Sequence, residues 1–319
     1  MINASRPIRN IALIASPGSG KTLLSEALAY TANAIDSMGS TRKGNTLSDF
    51  EFEEIHRHHS VSSSLLQFEW KGTQVNLIDT PGTLDFFHEV KSCLAAVDSV
   101  VLVIDASSGL KGELAKSWEY VQERGMPCLF FITGLDKERT DFSVMLGECS
   151  TALGMTMVPL AEPLGREEQL TGVIDLIQRK SLVSSLTSSK VQEEILTPEH
   201  ETQITEVRRQ LIEKVAETND QLVEKYLTAG DLTPEDIMEG LTFGILEGKL
   251  IPVLCGSGLK NIGSSLLLDA IHAYLPSPAD WSHRHPISGI DPHTGNALTR
   301  KGDATEPFSA SVFKTTIDP

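Results

Sequence analysis

The chain has 319 residues, 40% of them hydrophobic and 22% charged, with a formal net charge of −16. That length is too great for one simple core and points to about two domains. No apolar run reaches about 18 residues, so no membrane span is expected, and the acidic balance opposes broad binding to nucleic-acid phosphates, which needs clustered Lys and Arg. Contacts with RNA should be local, and basic protein partners suit such a surface better. Met1 to Asn10 hold neither a long apolar core nor a small-residue cleavage site, so no signal peptide is expected. Cys93, Cys128, Cys149 and Cys255 form no C-x-x-C pair and read as reduced core thiols of a cytosolic protein.

The run IRNIALI, Ile8 to Ile14, reads as a buried strand. Ala15-Ser16-Pro17-Gly18-Ser19-Gly20-Lys21-Thr22 follows it and opens a helical stretch, LLSEALAYTANAI. The pattern is that of a phosphate loop: a small residue, four more, then G-K-T. Backbone N–H groups of such a loop wrap phosphates, Lys21 reaches the β- and γ-phosphates, and the Thr22 hydroxyl binds Mg²⁺. Residues 36–60 show no clear periodicity and carry Gly39, Gly44 and a His-rich end. A long loop is expected there, and long loops inside compact domains are usually functional.

LLQFEW, Lys71-Gly72 and TQVNLID read as a hairpin. Asp79-Thr80-Pro81-Gly82 closes it. A carboxylate there can hold Mg²⁺ through water, and the Gly82 N–H can detect a γ-phosphate. D-x-x-G is weak alone but specific downstream of a phosphate loop, and the two motifs together indicate a nucleotide switch. SVVLVIDA (99–106) and PCLFFIT (127–133) read as central parallel strands, each preceded by a helical stretch. LIPVLCG (250–256) repeats that signature before the helical SSLLLDAIHAYL. A doubly wound α/β domain is expected, its last strand arriving after a long interruption.

The interruption, roughly 157–249, holds the strand-like VIDLIQRKSLVSSL and three polar amphipathic helices, 202–217, 219–227 and 234–247, the last opened by Thr233-Pro234. Pro286 to Glu306, rich in Gly, Pro, Asp and Thr, reads as a linker. PFSASVFKTTIDP begins an alternating strand. One strand is not stable alone, so the chain is expected to continue.

These residues resemble the elongation factor G family of translational GTPases. VNLIDTPGTLDF is similar to that family's Mg²⁺-binding segment, and NTLSDFEFEEIHRHHSVSSS to its first switch loop. GVIDLIQRKSL, VAETNDQLVEKYL and GKLIPVLCGSGLKNIGSSLLLDAIHAYLPSPAD resemble the inserted subdomain and the last base-binding loop. EPFSASVFK resembles the start of a β-barrel second domain. The resemblance covers essentially the whole chain. It implies an α/β P-loop GTPase fold, a doubly wound, mostly parallel sheet with an inserted α+β subdomain. The expected division is 1–156, first part of the G domain; 157–249, insertion; 250–285, last strand and helix; 286–319, linker and start of a truncated barrel. It further implies a cytoplasmic, monomeric, ribosome-associated GTPase of protein synthesis that uses GTP/GDP and Mg²⁺, has no membrane partner, and meets ribosomal stalk proteins through the insertion.

Residue by residue, the resemblance implies phosphate contacts from Ala15, Ser16, Pro17, Gly18, Ser19, Gly20, Lys21 and Thr22. Metal contacts fall to Thr22, Ser60 and Asp79, catalytic roles to Lys21, Gly82 and Thr83, and base contacts to Thr133, Asp136, Lys137, Ser257, Gly258 and Leu259. Four departures stand out. Thr83 occupies the place of a His that positions the attacking water, a loss worth about 10²–10⁴ in rate. The base motif N-K-x-D reads Thr133-Gly134-Leu135-Asp136: Asp136 keeps its bonds to guanine, Gly134 offers no stacking side chain, and Thr133 replaces a bracing Asn. Ser60 stands for the switch Thr and keeps the hydroxyl. Arg57-His58-His59-Ser60 replaces R-G-I-T. Departures in two signature motifs favour a paralogue over the main translocase.

Smaller signals have plainer readings. His56, His58 and His59 read as a solvated loop and not a metal site. The acidic helix 211–227 reads as a solvated face, with a partner surface as the sharper alternative. Two rival functions stay open: a nucleotide-gated ribosome or protein-binding module with little hydrolysis, favoured by Thr83 and the weakened base motif, and a P-loop ATPase, encouraged by the loss of Asn and Lys from that motif but opposed by Asp136 and Ser257-Gly258-Leu259.

Overall fold

The computed structural model describes residues 7–185, 188–291, 293–303 and 305–315. Its main sheet takes strands β1 (Ile8–Ile14), β2 (Ser64–Trp70), β3 (Thr73–Asp79), β4 (Ser99–Asp105), β5 (Cys128–Thr133) and β6 (Met157–Pro159). A second sheet holds β7 (Ala161–Leu164), β8 (Gly172–Asp175), β9 (Lys180–Ser185) and β10 (Ser188–Ile195), after which β11 (Ile251–Cys255) returns to the first. The main order is β2-β3-β1-β4-β5-β11-β6. Every pairing in it is parallel except the β2–β3 hairpin. The fold is therefore the doubly wound, mostly parallel sheet expected from the sequence.

Composition explains the placement. SVVLVID and CLFFIT are buried at every residue, as central parallel strands covered on both faces must be. β2 alternates buried and exposed residues up to Glu69, the pattern of a strand with one wet face. The crossover helices are α1 (Lys21–Thr31), α3 (Phe87–Leu94), α4 (Gly112–Glu123), α5 (Phe142–Leu153) and α9 (Ser264–Tyr274), with the short α2 (Phe52–Arg57) in the loop before β2. α1 packs on α9, and α3 on α4. The strand β6 lies within the stretch read as insertion yet pairs with β11 in the main sheet. Val158 of this strand and Leu160 just after it belong to the common core.

The second sheet, in order β10-β9-β8-β7, is joined by α6 (Pro198–Ala216), α7 (Asp220–Ala229) and α8 (Pro234–Leu246). Ile204, Leu211, Val215, Ile237, Leu241 and Ile245 bury one stripe of α6 and α8 while the acidic faces stay wet. Thr197, Asn219 and Thr233 cap the three helices with their side chains. All four cysteines are free and buried, and burial pushes the Cys128 and Cys149 thiols up to about 12.

Two expectations need correction. The stretch read as a linker carries α10 (Pro278–Arg284) just before it, then a hairpin of β12 (Ile287–Ile290) and β13 (Ala297–Arg300), whose turn residues Gly and Asn lie between two short β-formers. The strand expected after Pro307 is not formed across 307–315, where no backbone pairing with another strand is made among the described residues. Residues 316–319 lie outside the described residues.

Candidate nucleotide site

Functional segments of an open α/β sheet gather at the carboxyl ends of its strands. Here the phosphate loop leaves β1, Asp79 ends β3, Asp105 ends β4, Thr133 ends β5 and Ser257 follows β11, so sequence segments more than two hundred residues apart meet along one edge.

The loop turns through Gly18 (φ 74°) and Gly20 (φ 82°) before α1 begins at Lys21. Lys21 is buried and donates to the Ala15 carbonyl at 3.3 Å. Burial lowers its pKa, against the pull of Asp79 and Asp49. Gly82 comes so close that a Cβ there would stand 2.8 Å from Lys21 Nζ and 2.9 Å from the Pro17 nitrogen. Any side chain at 82 would push the loop and the D-T-P-G turn apart. Ser16 Oγ and Thr83 Oγ1 are buried with no hydrogen-bond partner among the described residues. Lys21, Thr22, Ser60, Gly82 and Thr83 line one cavity of about 160 Å³ with Pro17 to Gly20.

Asp79 is buried behind this cavity, and its Oδ2 accepts from Ser25 Oγ at 3.4 Å. Its Oδ1 has no partner among the described residues. Burial pushes its pKa up to about 6, against the Lys21 ammonium and a Ser48 hydrogen bond. A second acid, Asp49, also lines the cavity and accepts from Ser60 Oγ at 2.6 Å. Burial raises its pKa too. Thr22 Oγ1 and Ser60 Oγ stand 3.5 Å apart. Among the described residues no group of three or more His, Cys, Asp or Glu converges as a metal cluster. The donor set is two carboxylates and two hydroxyls around one buried ammonium, all oxygen ligands of the kind Mg²⁺ takes. Sequence reasoning missed Asp49. It was part of the quoted switch-loop string, but nothing in its spacing from Lys21 or Asp79 marks it.

The loop 36–60 is more ordered than its lack of periodicity implies. It contains a 3₁₀ turn, Thr41–Lys43, and the helix α2, whose Glu51 and Glu54 form a capping box. Two buried carboxylates staple it. Glu26 on α1 accepts from the Gly39 and Leu47 N–H groups at 2.6 and 2.5 Å. Glu54 accepts from Val61 and Ser62, both at 3.0 Å. The result carries His58 and His59 to the wall of the phosphate cavity. His56 and His58 are exposed, as in a solvated loop, and His59 is half-buried.

At the base end, Thr133 Oγ1 accepts from the buried Gly258 N–H at 3.2 Å, and Gly20 lies close to its methyl. Threonine therefore ties the last loop to β5 with one hydroxyl. That bond occupies the Gly258 donor, while the Leu259 N–H has no partner among the described residues and the Leu259 side chain is exposed. Ser257 is buried, its N–H bonded to the Ile262 carbonyl and its hydroxyl accepting from Lys260. Gly134 has φ 75°, and a Cβ there would stand 2.5 Å from Asp105 Oδ1. Asp105 is held by the Lys137 ammonium and accepts from Ser107. Lys137 is thus engaged with β4, its stem beside position 134. The Asp136 carboxylate is half-buried and makes no hydrogen bond or ion pair with a described residue.

A family model described as the elongation factor Tu GTP binding domain matches residues 6–277. The chain belongs to that family. Among curated relatives, the elongation factor G of Thermotoga maritima is 35% identical over 313 residues, covering 98% of this chain and 45% of the relative. The elongation factor G of Thermotoga petrophila matches with the same figures. A crystal structure from Thermus thermophilus superposes with a TM-score of 0.80 at 28% identity, covering 92% of this chain and 45% of that one. The chain spans less than half the length of the curated relatives it matches. No helix among the described residues is long and apolar enough to cross a membrane.

Proposed function

We propose that this chain is the guanine-nucleotide-binding part of a translational GTPase of the elongation factor G type, cytoplasmic, acting on the ribosome and meeting its stalk proteins through the insertion. On this reading 1–156 and 250–285 form the G domain, 157–249 the insertion, and 286–319 lead into a further domain. The observation that carries the reading is the shared cavity of the phosphate loop, Gly82 and Ser60 above the buried Asp79. A buried lysine pressed against the D-T-P-G turn has no packing purpose, but it is the arrangement a triphosphate needs.

Residues Ala15 to Thr22 would cradle the phosphates with backbone N–H groups, and Lys21 would meet the β- and γ-oxygens. Thr22, Ser60, Asp79 and Asp49 would hold Mg²⁺, which when bound neutralises charge on the β- and γ-phosphates. Gly82 and Ser60 would sense the γ-phosphate, so that its loss frees the switch loop. Asp136 would select guanine through N1–H and the exocyclic amine. The bonds of Thr133 and Gly258 favour the Leu259 N–H as the donor to O6. Thr83 has a hydroxyl too short and too weakly basic to stand in for an imidazole, and hydrolysis by the isolated chain is slow unless another residue positions the water.

A second reading, a nucleotide-gated binding module with little hydrolysis, rests on Thr83 alone. Competition of GDP, GTP and ATP for a fluorescent guanine nucleotide tests the first claim: ATP competing as well as GTP would refute it. Single-turnover hydrolysis with and without ribosomes separates enzyme from module, since the module predicts no ribosome stimulation.

A further inference from the structure

His58, His59 and Ser60 line the phosphate cavity together with Gly82 and Thr83. We propose that His59, brought there by the switch loop, orients the attacking water over the γ-phosphate, the task that Thr83 cannot perform. The proposal rests on the GTPase reading above.

Three observations carry it. First, position: His59 is half-buried and adjoins Ser60, whose hydroxyl is 3.5 Å from that of Thr22, so the imidazole belongs to the same wall as the metal-facing hydroxyls. Second, ring chemistry: His59 Nδ1 lies 3.3 Å from the Ser60 carbonyl oxygen. A carbonyl only accepts, so Nδ1 carries the hydrogen, and in the neutral ring Nε2 is left with the lone pair that can accept from water. Third, demand: Thr83 Oγ1, in the same cavity, is buried with no partner among the described residues. That oxygen is closed to solvent, so Thr83 does not hold a water in the cavity, which His59 also lines. His58 has a different task. It caps α2 at φ 55° and its Nδ1 donates to the Thr41 carbonyl at 3.1 Å, so it fastens the loop to its own 3₁₀ turn.

The step balances simply. The water oxygen bonds to the γ-phosphorus as the bond from that phosphorus to the β–γ bridging oxygen breaks, and the electron pair stays on the β-phosphate of GDP. One water proton passes to a γ-phosphate oxygen, giving dihydrogen phosphate. His59 holds the water in line and is unchanged.

The test compares the parent with His59→Ala, His59→Gln and His58→Ala in this chain. Readouts are single-turnover GTP hydrolysis, affinity for GDP and GTP, and affinity for GDP with aluminium fluoride, which mimics the transferring phosphoryl group. His59→Ala should slow hydrolysis by roughly 100-fold, the scale of a misplaced reactant. It should weaken GDP–aluminium fluoride binding while leaving GDP affinity within about twofold. His59→Gln, whose amide oxygen also accepts from water, should recover part of both. Unchanged hydrolysis and fluoride binding in His59→Ala, with nucleotide affinity intact, would overturn the proposal and leave the GTPase reading standing. A larger loss in His58→Ala would overturn the assignment to His59. A parent that binds no guanine nucleotide would sink the underlying reading instead.

Discussion

Thr133→Val probes the one hydroxyl that ties the two base loops together. Valine keeps the β-branched shape and the methyl beside Gly20 but removes the acceptor for the Gly258 N–H, bonded at 3.2 Å. Thr133 is 5% exposed and Gly258 is buried, so water does not readily replace the lost partner. Stranding a buried donor costs about 1–3 kcal/mol. With a urea slope of about 3 kcal/mol per molar, the upper end for a chain of this size, the unfolding midpoint should fall by about 0.3 to 1 M. If the strained loop also shifts in the nucleotide-bound state, the same energy appears as a roughly 5- to 150-fold loss of GDP affinity. Urea titrations followed by far-UV circular dichroism and a fluorescent GDP titration measure both. Thr133→Ser keeps the hydroxyl and should recover most of the effect. A valine variant equal to the parent in midpoint and in GDP affinity would refute the claim that this bond braces the site.

Lys21→Ala should abolish GDP binding in calorimetry yet keep a cooperative thermal transition, since the lysine caps a cavity and does not fill the core; unchanged GDP affinity would make the loop decorative. Asp136→Ala should weaken GDP by about one to two powers of ten, from the roughly 1.5–3 kcal/mol of charged bonds, with ATP affinity unaffected. Glu162 on β7 is pushed up to about 7, first by burial, then by Asp141, with Arg166 opposing. A raised folded pKa means the native state holds a proton that the unfolded chain has lost, so Glu162 withdraws stability as pH rises from about 4.5 to about 7, by about 3 kcal/mol when complete. Glu162→Gln should therefore raise the melting temperature at pH 8 and leave it nearly unchanged at pH 4; equal shifts at both would contradict the assignment.

The sequence by itself determined the sheet, the phosphate loop and the D-T-P-G turn. These depend on local rules: unbroken apolar runs make central strands, and a small-residue turn between strand and helix can do little but expose N–H groups. Even the hairpin at Lys71-Gly72 was legible, because two residues between β-formers, both at positive φ, permit one kind of turn. Tertiary structure decided what long-range contact decides. Asp49 became a cavity acid only when Glu26 and Glu54 folded the switch loop back onto α1 and β2. Gly134 looked like a lost stacking group; a side chain there would also have to displace the Asp105 carboxylate, which a Cβ would meet at 2.5 Å. Thr133 looked like a lost brace; the hydroxyl braces Gly258, a residue whose position relative to β5 no local pattern encodes. His59 read as a solvated loop residue because burial depends on what surrounds a side chain, and the cavity it lines is shared with Gly82 and Thr83, which come from another strand end.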